Sequence, residues 1–127
     1  NTATPSSDEY LLDGIVGRNF VKLRTTSAIQ LYAGTTNDIT PTYTANANLL
    51  IVTFNGASSL ADLNDVEDTS VSIGTLDLED FRLGAKNDES GGYNGLVYQV
   101  VWYPSALSTE DKDSGKAFLN TKWGLGL

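Results

Sequence analysis

Short runs of apolar residues recur along the chain at regular spacing, with turn residues such as Asp13-Gly14, Gly34-Thr35, Asn55-Gly56 and Gly91-Gly92 between them. Several short runs bounded by turn signals are typical of an antiparallel β-sandwich. The predicted fold class is therefore all-β, an antiparallel sandwich. The pattern predicts strands over residues 10–12, 19–23, 29–32, 48–54, 60–63, 71–73, 81–83 and 96–103.

Two of these predicted strands differ in how they meet solvent. Residues 96–103 are apolar on both alternating faces, with Leu96 and Trp102 on one side and Val97 and Val101 on the other. This predicts a central strand in a covered sheet, which Pro104 ends because proline has no N–H to donate. Residues 19–23 do not alternate cleanly and predict an edge or half-exposed strand.

One short helix is predicted between Ser108 and Trp123. The Ser108 hydroxyl can cap the first turn, and Glu110 with Asp111 places negative charge at the positive end of the helix dipole. Gly124 then stops the helix. We expect the helix to pack on the sheet through Phe118, Leu119 and Trp123.

Several short motifs resemble, in order and spacing, the laminin G-like domains of the concanavalin A-like lectin/glucanase superfamily. The final strand, its Ala106-Leu107-Ser108 end and the Lys122-Trp123-Gly124 tail resemble the end of such domains. Residues 49–56 resemble their middle strand and turn, residues 61–66 their short hairpin, with Asp65 where glycine is usual, and residues 81–84 their Leu-Gly strand. The resemblance covers roughly the second two-thirds of the chain and implies a jelly-roll sandwich.

The chain before Leu49 is short for a full jelly roll. Strands of about 5–6 residues plus their turns need more than residues 1–48 comfortably provide. The sandwich is therefore expected to be reduced, or to be completed by strands from a neighbouring chain or from an upstream segment. We expect residues 1–7 to form a flexible arm or linker and residues 8–127 to form one laminin G-like domain.

Charge narrows the range of partners. The chain has 8 Lys and Arg against 16 Asp and Glu, a formal net charge of −8. This charge repels phosphate backbones and anionic head groups, so we expect no nucleic acid and no membrane as partner. No stretch approaches 18 consecutive apolar residues, so no membrane-spanning helix is predicted.

Enzymatic activity is not expected. The chain contains no cysteine and no histidine, which removes thiol nucleophiles, the usual zinc ligands and histidine acid–base chemistry. Glycan-cleaving relatives of the resembled family use a carboxylate pair across a cleft. The nearest candidates here, Asp77 and Glu79, lie in a turn-like stretch and lack the longer motif of those enzymes, so no catalytic residue is predicted.

A cluster of hard oxygen ligands raises the question of calcium. Asp62, Asn64, Asp65 and Glu67, followed by Asp68, lie within seven residues, and such density can hold calcium. Laminin G-like domains often carry calcium at a rim of the sandwich, so the resemblance implies the same candidate site. The alternative is a charged hairpin that discourages edge pairing. No other cofactor is predicted.

Loop aromatic and amide residues form a candidate glycan site. Sugar binding uses an exposed aromatic ring with amide or carboxylate groups for the hydroxyls. The candidates are Tyr32, Tyr43, Tyr93 and Asn94, with Asn87 and Asp88 nearby in sequence. The alternative is that these tyrosines serve a protein interface, where tyrosine is common.

The sequence therefore predicts a non-catalytic structural or adhesion module on a virion or extracellular surface. It resembles modules appended to bacteriophage tail, fibre and capsid-decorating proteins. Its expected partners are other chains of an assembly, as a homo-oligomer, contacted through the arm before Tyr10 and an incompletely covered sheet, with cell-surface glycan as a further candidate. The alternative is a carbohydrate-binding module of a secreted bacterial glycoside hydrolase.

Overall fold

The computed structural model describes residues 5, 7–26, 28–40, 47–67, 72–78 and 80–127. They form eight strands and one α-helix. The strands are β1 (Glu9–Gly14), β2 (Phe20–Leu23), β3 (Ile29–Tyr32), β4 (Thr36–Ile39), β5 (Leu50–Thr53), β6 (Leu60–Leu63), β7 (Val66–Glu67) and β8 (Phe81–Leu83), and the helix is α1 (Thr109–Trp123).

The strands form two antiparallel sheets. The larger has five strands in the order β4-β3-β2-β1-β8, and the smaller has three in the order β5-β6-β7. The predicted all-β class with one C-terminal helix is confirmed at this level. The hairpin of β6 and β7 turns at Asn64 and Asp65, both with left-handed φ, a conformation that Asn and Asp tolerate because their short polar side chains bond locally.

A single cluster of buried apolar side chains draws on both sheets. The larger sheet contributes one face of each of its first four strands, including Leu31, and the smaller contributes Ala61 and Leu63. Ile73, which lies outside any strand, is fully buried among them. Backbone N–H groups of Ala33 and Thr35 both donate to the Ile73 carbonyl, at 2.8 and 2.9 Å, so the 72–78 segment is fixed to the turn after β3.

Strand β2 corrects the prediction of an edge or half-exposed strand over residues 19–23. It lies at the centre of the five-stranded sheet, and Phe20 and Val21 are buried. Val21 faces the core, while Phe20 and Lys22 face outward, where Phe20 stacks on Tyr32 with ring centroids 5.0 Å apart. The outward face is covered by aromatic rings and cations, so its polar residues do not indicate an edge.

Three further strand predictions need correction. Strand β4 was not predicted, because only Ile39 of its four residues is buried. Asp13-Gly14 is not a turn, since β1 continues through Gly14. Of the predicted strand over 71–73, Val71 lies outside the described residues, and residues 72–73 lie outside any strand.

The largest difference concerns residues 96–103, predicted as a central covered strand. Within the described residues this segment pairs with no strand. Its apolar side chains are exposed on both alternating faces; Tyr98, for example, is 59% exposed. The alternating pattern identified a segment that can form a strand, and the prediction of its place in the sheet was wrong.

Helix α1 begins and ends where the sequence predicts. Ser108 Oγ accepts a hydrogen bond from the Asp111 N–H at 3.1 Å, and Gly124 adopts the left-handed conformation after the last turn. The predicted packing on the sheet is wrong, since no helix residue is buried, Phe118 is exposed, and Trp123 contacts Tyr98 of the exposed segment. In the described part of the chain, no helix has the length and apolar character needed to cross a membrane.

Candidate interaction surface

Residues 96–103 form an exposed strip, called here the apolar strip. Its large exposed residues are Leu96, Val97, Tyr98, Val100, Val101, Trp102 and Tyr103. Contiguous apolar surface of this kind marks interaction sites in soluble proteins, whereas scattered exposed apolar residues do not. The strip is therefore the leading candidate for the functional surface of this chain.

Few contacts anchor the apolar strip to the remainder of the molecule. The Trp102 ring lies 5.5 Å from the Phe81 ring of β8, and the Tyr98 ring lies 5.3 Å from that of Trp123. Gln99 Oε1 accepts hydrogen bonds from Lys122 Nζ at 2.8 Å and from Trp123 Nε1 at 3.2 Å. Two aromatic contacts and one side-chain amide thus hold the strip between β8 and the end of α1.

A cleft of about 700 Å³ is lined by residues of both the strip and the three-stranded sheet. One wall is residues 49–54, which contain β5, and another is residues 99–107. Residues 76–78 and one side of α1, including Phe118, complete the lining. Most of the lining residues are apolar, and the charged residues Asp77, Asp111, Lys112 and Lys116 join them.

The wall of the cleft also carries an incompletely bonded polar side chain. Asn19 lines the cleft and is 1% exposed. Its Nδ2 donates to the Leu76 carbonyl at 2.8 Å, but its Oδ1 has no hydrogen-bond partner among the described residues. A buried acceptor without a partner costs about 1–3 kcal/mol, so a donor placed against Asn19 Oδ1 would stabilise this wall.

The predicted calcium ligands lie around a lysine. Lys116 Nζ of α1 lies 3.3 Å from Asp62, 2.9 Å from Asp65 and 3.2 Å from Asp113. Hydrogen bonds to these carboxylates, the one to Asp65 first, raise the pKa of Lys116 above its ordinary value. An ammonium group thus neutralises the carboxylates that a calcium ion would neutralise.

The remaining predicted ligands are not arranged with these carboxylates around one point. Asn64 Oδ1 accepts from the Leu49 N–H at 2.8 Å, and its Nδ2 donates to Asn48 Oδ1. Glu67 lies on β7, and Asp68 is outside the described residues. Among the residues that the structure describes, no group of three or more acidic side chains could hold a metal ion. Calcium binding stays a prediction.

Replacing Lys116 with glutamine is expected to lower the free energy of unfolding by about 1 kcal/mol, because each partly exposed ion pair contributes about 0.2–1 kcal/mol. The loss leaves Asp62, Asp65 and Asp113 repelling one another. Urea unfolding followed by circular dichroism measures the change. Lys86→Gln is the matched control, because Lys86 pairs with Asp88 two residues away and joins no two elements. Equal loss in both variants would contradict a role for Lys116 in holding α1 against the β6–β7 hairpin.

The predicted glycan residues are divided between two places on the larger sheet. Tyr93 and Asn94 lie near the start of β1, where the Asn94 N–H donates to Glu9 Oε2 at 3.2 Å. Burial, followed by the charge of Glu9, raises the pKa of Tyr93. Tyr32 lies two strands away on β3, and Tyr43 is outside the described residues.

The two other residues of that prediction serve the loop in which they lie. Asp88 accepts hydrogen bonds from Lys86 and from Ser90, and these bonds hold the pKa of Asp88 well below its ordinary value. The Asn87 backbone N–H donates to the buried Asp13 at 2.9 Å. Both residues therefore stabilise the loop after β8, and neither contacts Tyr32.

Sequence reasoning missed an aromatic and cationic cluster on the outer face of the larger sheet. Phe20 lies between Tyr32 and Tyr10, stacked on the first and edge-on to the second at 5.5 Å. Arg18 and Lys22 both lie over the Phe20 ring, at 5.1 and 5.5 Å. The signal was available in the alternation of Phe20 with Lys22, facing Tyr10 and Tyr32 on the neighbouring strands.

The described residues give no support to Asp77 and Glu79 as a catalytic pair. Asp77 lies on the lining of the cleft, and Glu79 is outside the described residues.

Comparison with known proteins adds no relative. No protein-family model matches the chain, and no match was found among curated proteins or solved structures.

Proposed function

We propose that this chain is a non-catalytic structural and adhesion module of a virion or extracellular surface that packs against neighbouring chains. One observation carries the proposal: the apolar strip has the sequence of a covered strand and lies exposed on both faces. Burying apolar surface stabilises an assembly by about 25 cal/mol per Å², before the loss of translational and rotational freedom on association is subtracted. A partner that covers the strip would supply this burial.

The charge of the chain supports the same proposal. A net charge of −8 keeps separate copies soluble through mutual repulsion. The strip itself carries no charged residue, so contact there does not bring like charges directly together. Salt screens the remaining repulsion, and association should therefore strengthen as ionic strength rises.

We further propose a reduced sandwich of the laminin G-like type, completed by a neighbouring chain. Its support is the shared core, in which Leu31 of the larger sheet and Leu63 of the smaller belong to one cluster. Among the residues that the structure describes, strand β5 ends the smaller sheet and borders the cleft. An added strand at this edge would extend the sheet and cover the apolar wall of the cleft.

Glycan binding is the second candidate, corresponding to the alternative of a carbohydrate-binding module. The observation that favours it is the outer-face cluster, where half-buried Tyr32 and Tyr10 flank Phe20 on a rigid sheet. Aromatic rings on adjacent strands can offer a stacking platform for sugar rings. Arg18, which covers Tyr10 and Phe20, would have to move or to bond the sugar hydroxyls.

The assembly proposal is tested by the mass of the purified chain, measured by light scattering over a range of salt concentrations. The wild type is expected to exceed the monomer mass, increasingly so as salt is raised. Val101→Glu places a charge in the apolar strip and should weaken association more than tenfold, because a charge buried without a partner is strongly unfavourable.

Val66→Glu is the matched control, since Val66 is an exposed valine on β7, outside the strip. This variant should associate like the wild type, and circular dichroism should show that both variants are folded. A wild type that remains a folded monomer at every salt concentration and at high protein concentration would overturn the proposal. Glycan-array binding by that monomer, lost in Tyr32→Ala, would favour the sugar-binding alternative.

A further inference from the structure

We infer that the partner covering the apolar strip is a second copy of this chain, and that residues 96–103 of each copy lie beside β5 of the other. This inference rests on the proposed assembly function and specifies the contact that would build it. Two features of the described residues carry it: residues 96–103 form a strand-like segment that pairs with no strand, and β5 has one edge that pairs with no strand. Both features line the same cleft.

Strand β5 is the acceptor edge. It pairs with β6 from Leu50↔Leu63 to Thr53↔Leu60, and it ends the smaller sheet in the described part of the chain. All four of its residues line the cleft. An edge with unpaired N–H and C=O groups is a template for an incoming strand, and strand addition at such an edge is a common mode of peptide recognition.

Residues 96–103 have the properties of the incoming strand. The segment is rich in β-branched and aromatic residues, which favour strands, and Pro104 stops it after Tyr103. Both of its faces are apolar, so in a sheet it would need cover on both sides. The cleft provides apolar walls for that purpose, with Phe54 and Phe118 among the lining residues.

Charge favours a copy of this chain as the occupant. The stretches 39–61 and 90–109 contain no Asp, Glu, Lys or Arg. The first includes β5 and the second includes the apolar strip, so the strip and the edge that it would meet are both free of charge. The charged residues elsewhere on the lining are two acids and two bases, Asp77, Asp111, Lys112 and Lys116, so two molecules of net charge −8 would meet at a site whose own charges sum to zero.

The available area also suits a pair of copies. A fully exposed aromatic side chain presents about 150–250 Å², so the roughly half-exposed strip together with Phe118 and Trp123 offers on the order of 800 Å². A stable interface of standard size buries about 800 Å² per partner. In a two-fold symmetric dimer each copy supplies one strip and one β5 edge. Each strip then lies beside the β5 edge of the other copy, so both strips are covered.

Placement of the strip in its own molecule argues for exchange between molecules. Residues 99–103 belong to the lining of the cleft that β5 also lines. They are held by contacts of Trp102 with Phe81 and of Gln99 with Lys122 and, within the described residues, are not paired with β5. In the described part of the chain the outer edge of β5 is thus without a strand partner, which a segment from another molecule would supply.

The absence of cysteine from the chain makes disulfide trapping a clean test. One preparation carries Val52→Cys on β5. A second preparation carries a single cysteine in the strip, at Val97, Val100 or Val101, and a tag that gives it a different mass. Neighbouring strands bring residues within the 4.4–6.8 Å Cα separation that a disulfide needs. Mixing and mild oxidation should yield a disulfide-linked pair of unlike mass for at least one position. Val66→Cys replaces the strip cysteine as the matched control and should yield none.

The failures of the two proposals are distinguishable. A wild type that is a multimer by light scattering, with no unlike-mass product at any strip position, would overturn strand exchange and leave assembly standing. Val52→Cys combined with a strip cysteine in one chain, forming an internal disulfide in a monomer, would also overturn it, since the strip then closes its own cleft. A monomeric wild type would overturn the assembly proposal itself.

Discussion

Replacing Ile73 with alanine is expected to lower the free energy of unfolding by about 3 kcal/mol, within the range of about 2–5 kcal/mol measured for isoleucine truncation in packed cores. Ile73 is 0% exposed and belongs to the cluster shared by the two sheets. The substitution removes three carbons from a site enclosed by strands that cannot easily collapse on it. Urea unfolding measures the change in free energy. If the free energy of unfolding falls with urea concentration at the same slope in the variant and the wild type, the two unfold with the same exposure of surface.

Leu76→Ala is the matched control. Leu76 lies three residues further along the same segment and is 44% exposed, so its truncation should lower the unfolding free energy by less than about 1 kcal/mol. Equal losses in the two variants would mean that Ile73 is not the core residue of this segment. The comparison tests the link between the sheets independently of any interaction surface.

The features that could be predicted from the sequence are those that local chemistry determines. The helix bounds follow from Ser108, whose hydroxyl bonds the Asp111 N–H, and from Gly124 in its left-handed conformation. The β6 strand follows from a short apolar run ended by residues that tolerate a tight turn. In each case the deciding contacts lie within a few residues of one another.

The features that could not be predicted depend on partners distant in sequence. Residues 96–103 carry a valid strand pattern, but the pattern does not say which edge, if any, the segment meets. Strand β4 was missed because three of its residues are not buried. It is held by pairing with β3 and by the ion pair of Asp38 with Arg24, at 2.7 Å, and neither leaves an apolar signal.

Candidate sites show the same division. Asp62 and Asp65 were predicted as neighbours and are neighbours, but the lysine that they share comes from α1, more than fifty residues further along the chain. Asp13 was interpreted as a turn residue because Asp-Gly pairs are common in turns. In the structure it is a buried carboxylate bonded to the loop after β8.

Asp13→Asn is expected to lower the free energy of unfolding by about 2–3 kcal/mol, because removing one partner of a buried ion pair costs about 3–5 kcal/mol and Arg18 here is partly exposed. Asp13 is 0% exposed, and its carboxylate accepts from Arg18 Nε at 3.2 Å, from Arg18 Nη2 at 3.3 Å and from the Asn87 N–H at 2.9 Å. An asparagine keeps the size of the side chain but turns an NH₂ group toward one of these donors, leaving that donor without an acceptor.

Asp38→Asn provides the comparison for that variant, because the chemical change is the same. Asp38 pairs with Arg24 at 2.7 Å but is 38% exposed, so water can replace the lost bonds and the change should stay below about 1 kcal/mol. Amide hydrogen exchange supplies a second readout. The Asn87 N–H should exchange faster in Asp13→Asn and at the wild-type rate in Asp38→Asn, since Asp13 accepts the Asn87 N–H and Asp38 does not. Equal unfolding losses, or an unchanged Asn87 exchange rate in Asp13→Asn, would contradict this account of the buried carboxylate.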